Sequence, residues 1–159
     1  MKWDDSSYRG LTDKIIKAFY KVHDTLGPGF LENAYHKALF IELSKDFKVD
    51  FQKEFPVFYE GKEVSKYIPD LLVDETIIIE VKAVKELSDD HKAQIISQLR
   101  VTKLLIGFLV NFSNKTLEFK RFDNFYEISS QGREIIEQGK MFKSHKSLLK
   151  VPVEKAVEL

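Results

Sequence analysis

The stretch that decides the fold is residues 67–84, Tyr67-Ile68-Pro69-Asp70-Leu71-Leu72-Val73-Asp74-Glu75-Thr76-Ile77-Ile78-Ile79-Glu80-Val81-Lys82-Ala83-Val84. Two apolar runs, the second strongly β-branched, flank Asp74-Glu75-Thr76, which is the pattern of a hairpin with a three-residue turn. That turn sets Val73 opposite Ile77, Leu71 opposite Ile79 and Asp70 opposite Glu80. Strand side chains alternate between faces. Asp70, Glu80 and Lys82 therefore project from one face, and Leu71, Val73, Ile77, Ile79 and Val81 from the other. A two-residue turn would shift the register by one and separate Asp70 from Glu80.

The face with the three charges also carries Ile68, Leu72, Ile78 and Val84, so it reads as interior. Carboxylates directly opposite each other, with Cβ atoms about 4.5–5.5 Å apart, repel, and burial further disfavours ionising both. A divalent cation between them is the simplest compensation. All-oxygen ligation suits Mg²⁺ or Mn²⁺ better than zinc. The plainer alternative is a Glu80–Lys82 ion pair at a sheet rim, with Asp70 merely ending a strand.

Upstream, apolar residues at helical spacing predict a helix over Leu11–Leu26, stopped by Gly27-Pro28-Gly29. A second helix is predicted over Phe30–Ser44. The period then changes to alternation from Val49 to Tyr59, with Pro56 suiting an edge strand. Glu60-Gly61-Lys62 reads as a turn, and Glu63–Val73 as the next strand. Downstream of the hairpin, Ser88 is a candidate N-cap for a helix running to Lys103, with Asp89 and Asp90 at its positive end. Leu104–Phe112 reads as a strand buried on both faces, and Thr116–Phe122 as a last, more exposed strand. The predicted fold is α/β, an αβββαβ core with a mixed central sheet flanked by helices. Residues 1–125 form the expected domain. Residues 126–159 form an extension, with a helix expected over Gln131–Phe142.

Composition excludes several classes. The 159 residues contain no cysteine, which removes disulfides, zinc–thiolate sites and thiol nucleophiles. Twenty-five basic and 25 acidic residues cancel, so bulk charge does not drive nucleic-acid binding. No apolar run approaches the ~20 residues of a membrane span, and no secretory leader is visible. The expectation is a cytoplasmic protein without membrane contact. Phosphate-loop, dinucleotide, HExxH and GxSxG motifs are absent.

Pro69-Asp70 followed by Glu80-Val81-Lys82 is a literal PD…ExK, and Gly29-Phe30-Leu31-Glu32-Asn33-Ala34-Tyr35 is a literal GxxExxY. From about Leu11 to Phe122 the chain resembles the GxxExxY family, a small prokaryotic branch of the PD-(D/E)XK nuclease-like superfamily with a restriction-endonuclease-like core. The resemblance implies metal ligation by Asp70, Glu80, the Val81 carbonyl and Glu32. It implies that Lys82 orients the attacking water and stabilises charge at the phosphate. Related nucleases often carry Gln-x-x-x-Tyr on the later helix; Gln94 matches its first position and Gln98 replaces the tyrosine. His91, Gln94 and Gln98 share a stripe there, while Lys92, Arg100 and Lys103 read mainly as solvated charges. Tyr35 reads as a packing residue with a hydrogen-bonding tip. The implied function is Mg²⁺- or Mn²⁺-dependent hydrolysis of nucleic acid, with DNA as partner and, by analogy with duplex-cutting relatives, a homodimer. The alternatives are a non-catalytic nucleic-acid-binding or complex-forming module that retains the fold, and hydrolysis of a small phosphate ester.

Overall fold

The structure is a computed structural model that describes residues 8–126, 133–137 and 140–141. Helix α1 (Arg9–Leu26) buries Ile15, Phe19 and Val22, positions four and three apart that fall on one stripe. It ends at Gly27, whose φ of 68° lets the chain reverse while its N–H donates to the His23 carbonyl at 2.8 Å. Helix α2 (Glu32–Ser44) buries Tyr35, Leu39 and Leu43. The Tyr35 ring stacks on Phe112 at 5.0 Å, and its hydroxyl donates to the Gly27 carbonyl at 2.6 Å. Tyr35 thus welds the turn between the helices to the core.

The central sheet has seven strands in the order β1 (Val49–Asp50), β4 (Leu71–Val73), β5 (Ile77–Lys82), β6 (Ile106–Asn111), β7 (Glu118–Tyr126), β8 (Arg133–Glu137) and β9 (Lys140–Met141). Among the described residues only β5 and β6 pair in parallel, and the other pairs of this sheet are antiparallel. Parallel neighbours need a crossover, and helix α3 (Asp89–Thr102) supplies it. Nearly all of β5 and all of β6 are buried, because helices cover both faces there. One face packs α1 and α2 against Leu71, Val73, Ile77, Ile79, Val81, Phe108 and Val110. The other packs α3, through Ile95, Ile96 and Leu99, against Leu72, Ile78, Leu109 and Phe122. Gly107 permits this close approach, since a Cβ there would lie 3.1 Å from Ile95 Cδ1 and 3.2 Å from Leu99 Cδ1.

The three-residue turn sets the expected register: Val73 pairs with Ile77 and Leu71 with Ile79. Asp74 and Glu75 adopt left-handed backbone angles, φ 49° and 56°. The turn is tied to the start of β1 by Asp74 N–H to the Lys48 carbonyl at 2.8 Å.

Three readings are corrected. The expected strand Glu63–Val73 is broken: β3 (Lys62–Tyr67) pairs only with β2 (Phe55–Tyr59) in a separate two-stranded sheet. Pro69, lacking an N–H, lies between β3 and β4 and cannot extend a ladder. Val49–Tyr59 likewise divides, into β1 of the central sheet and β2 of the small one. The helix expected over Gln131–Phe142 is instead strand at Arg133–Glu137 and Lys140–Met141. The free backbone edge of β7 gives this segment ladder partners, and the β-branched pair Ile135-Ile136 favours that state. Of Gln131–Phe142, residues 131–132, 138–139 and 142 lie outside the described residues.

Candidate active site

Pro69 is buried and turns the chain into β4, leaving Asp70 at the foot of that strand, half-buried. Asp70 meets Glu80 across the hairpin. Its Oδ2 accepts the Val81 N–H at 2.8 Å, and its own N–H donates to Glu80 Oε1 at 3.3 Å. The Tyr67 hydroxyl donates to the same Glu80 oxygen at 2.6 Å. Glu80 is 7% exposed. Burial first, and the adjacent Asp70 charge second, push its carboxyl up to about 8. Tyr67 is raised as well, by its own burial and then by the Glu80 charge, so it acts as a hydrogen-bond donor and not as an acid.

Lys82 follows Glu80 by two residues and shares its face. Its carbonyl accepts the Phe112 N–H at 3.0 Å. The exit of β5 is further held by fully buried Asn111, which accepts the Val84 N–H at 3.0 Å and donates to the Val84 carbonyl at 2.8 Å. Among the described residues the half-buried Lys82 ammonium has no hydrogen bond or ion pair, so it remains available to a ligand.

Glu32 opens α2 and is exposed. His36, one turn later on the same stripe, places its Nε2 2.8 Å from the Asp70 carbonyl oxygen. The Glu32 stripe of α2 therefore reaches the Asp70 backbone, while among the described residues no three His, Asp or Glu side chains converge as a metal-holding group. On α3 the expected stripe divides: Gln94 is exposed, His91 is half-buried, and Gln98 is 8% exposed with no hydrogen-bond partner for its Oε1 among the described residues. His91 closes a capping box, accepting the Ser88 N–H at 3.1 Å while Ser88 Oγ accepts the His91 N–H at 3.2 Å. Arg100 is not a solvated charge; it is buried, and burial lowers its pKa. Lys92 lies 3.8 Å from the buried carboxylate of Glu137 in β8.

The donor set fits a hard divalent cation. Such a cation takes oxygen ligands, and Asp70 and Glu80 present carboxylate oxygens side by side. One oxygen of each carboxylate accepts hydrogen bonds from the fold, Asp70 Oδ2 from the Val81 N–H and Glu80 Oε1 from the Tyr67 hydroxyl and the Asp70 N–H.

Sequence reading singled out Asp70, Glu80 and Lys82, of which the structure sets Asp70 against Glu80 and leaves Lys82 two positions further along the same face of β5. It missed Tyr67, His36 and Asn111. The signals were present but faint: a tyrosine three residues before Asp70, a histidine after the GxxExxY tyrosine, and a lone amide in an otherwise apolar strand.

A mixed sheet with the hairpin and crossover helix so arranged, and a PD…ExK set at the hairpin's open end, defines a restriction-endonuclease-like α/β fold. The chain belongs to the PD-(D/E)XK nuclease superfamily, whose sequence profile matches residues 9–122. No curated protein matches the chain. Nucleases of this superfamily generally use divalent metal ions, and nucleic acid is their substrate. Among the described residues no helix is long and apolar enough to cross a membrane.

Proposed function

We propose that this chain is a nuclease of the GxxExxY branch that hydrolyses phosphodiester bonds, in DNA, with Mg²⁺ or Mn²⁺. The observation that carries this reading is buried Glu80 set against half-buried Asp70, with Lys82 on the same face and, among the described residues, without an ion pair. A buried carboxylate with a second one beside it is costly to keep without a ligand.

Asp70 and Glu80 hold the ion, with the Val81 carbonyl and Glu32 as further oxygen donors. When bound, the ion acidifies a water and neutralises charge on the scissile phosphate. Lys82 orients that water and stabilises the negative charge building on the phosphate oxygens. Gln94, exposed on α3, hydrogen-bonds a phosphate oxygen beside the site. Residues 1–125 form the catalytic unit and residues 126–159 an extension of it. On duplex DNA the working form is a homodimer.

The test is cleavage of plasmid and linear DNA, with Mg²⁺ and with Mn²⁺, by the wild type and by Asp70→Ala, Glu80→Ala and Lys82→Ala. Cleavage is expected to fall on the order of 10²–10³-fold for Lys82→Ala and at least as far for the carboxylate variants, with circular dichroism unchanged. Wild-type-like cleavage by both Asp70→Ala and Glu80→Ala would overturn the proposal.

A further inference from the structure

Glu80 Oε1 is saturated by two donors from outside its own strand: the Tyr67 hydroxyl at 2.6 Å and the Asp70 N–H at 3.3 Å. The first has the usual short length of a hydroxyl donating to a carboxylate; the second is long and weak. The Tyr67 ring is itself held, half-buried, by stacking on Phe55 at 6.3 Å and 30°. Tyr67 ends β3, in the small two-stranded sheet, so an element outside the central sheet reaches into the site.

From this we infer that Tyr67 is a positioning residue that sets metal selectivity by holding Glu80 to one-oxygen coordination. The inference deepens the metal-dependent reading above and rests on it. With Oε1 occupied, Glu80 offers a cation only Oε2. Asp70 is matched to it, because the Val81 N–H at 2.8 Å occupies Oδ2 and leaves Oδ1. Two single-oxygen carboxylates suit small ions that demand near-octahedral coordination and retain several waters, as Mg²⁺ does. Ca²⁺ prefers more ligands and readily takes both oxygens of one carboxylate. The Val81 donor is backbone and cannot be removed by substitution. The Tyr67 donor is a single hydroxyl, so it is the part of this arrangement that one mutation can release.

Tyr67→Phe removes the hydroxyl and keeps the ring against Phe55. Glu80 is then restrained only by the long bond to Asp70 N–H, and both of its oxygens become available. Isothermal titration of Mn²⁺ and Ca²⁺, separately and in competition, into wild type, Tyr67→Phe and the exposed-tyrosine control Tyr59→Phe reads this directly. Thermal melts in EDTA check that each variant is folded. Wild type is expected to bind Mn²⁺ more tightly than Ca²⁺. Tyr67→Phe is expected to shift the ratio of dissociation constants toward Ca²⁺ by about tenfold, and Tyr59→Phe to leave it unchanged. A ratio unmoved in Tyr67→Phe, or equal weakening of both ions, overturns the role of Tyr67 while leaving the metal-dependent reading intact. Failure of wild type to bind either ion overturns both.

Discussion

The two faces of the central sheet are made by the same strands yet differ in what they bury. Toward α1 and α2, every β4 and β5 side chain is apolar, and the aromatic residues interlock; Phe19 meets Phe108 edge-on at 5.5 Å. Toward α3 the core is smaller, and one end of it is replaced by Glu80, with Tyr67 and Asp70 around it. Alternation along a strand makes this division possible: each residue that serves chemistry has neighbours serving cohesion on the opposite side. Stability and reactivity thus rest on adjacent residues but on separate surfaces, which makes them separable by mutation.

The largest effect expected from that separation is on the cohesive face. Phe108→Ala should cost about 3–5 kcal/mol of unfolding free energy through the cavity it leaves, measured by urea denaturation. Mn²⁺ affinity at low temperature should be unaffected, because Phe108 does not face the site. A large change in ion affinity would show that the two faces are coupled.

On the reactive face the expected sign is opposite. The folded state retains the Glu80 proton up to about 8, whereas an unfolded glutamate releases it in the ordinary carboxylate range. Folded protein therefore binds more protons than unfolded between those limits, and the stability of metal-free protein should fall as pH rises through that window. Thermal melts in EDTA should show Tm declining from near pH 5 to pH 8, and Glu80→Gln should flatten the decline. A wild-type Tm that rises with pH would contradict the burial of an uncompensated carboxylate. The smallest effect belongs to neither face. The exposed Lys48–Glu75 pair at 3.1 Å should contribute less than about 1 kcal/mol, checked by a double-mutant cycle.

The parts of the fold legible in the sequence are those encoded locally. The hairpin register follows from a three-residue polar turn between apolar runs, and it places Asp70 beside Glu80. The burial of Ile106–Asn111 follows from an uninterrupted apolar run, and the start of α3 from Ser88. The strand break at Pro69 was written there too, but alternation on either side of it masked the change of sheet. What stayed hidden depends on partners distant in sequence. His36 reaches Asp70 across 34 positions and Asn111 reaches Val84 across 27. Only faint local cues, a histidine after Tyr35 and a lone amide in an apolar run, separate such residues from ordinary polar positions. The strand at Arg133–Glu137 is likewise set by the edge of β7, not by its own periodicity.

The locality of the hairpin has a consequence for how freely the chain can be lengthened. Asp70 and Glu80 are ten positions apart, and Tyr67 and Lys82 flank them closely, so the charged centre lies within one short, contiguous piece of chain. The entropy of bringing its two carboxylates together is met almost entirely by one tight turn. Loop closure grows only by about 0.6 kcal/mol for each doubling of length. Insertions at the exposed tip of β2 and β3, at Glu60-Gly61, or after β6 would therefore burden those connections alone. The turn at Asp74–Thr76 is the place where added length would act directly on the charged centre, by loosening the closure that holds Asp70 against Glu80.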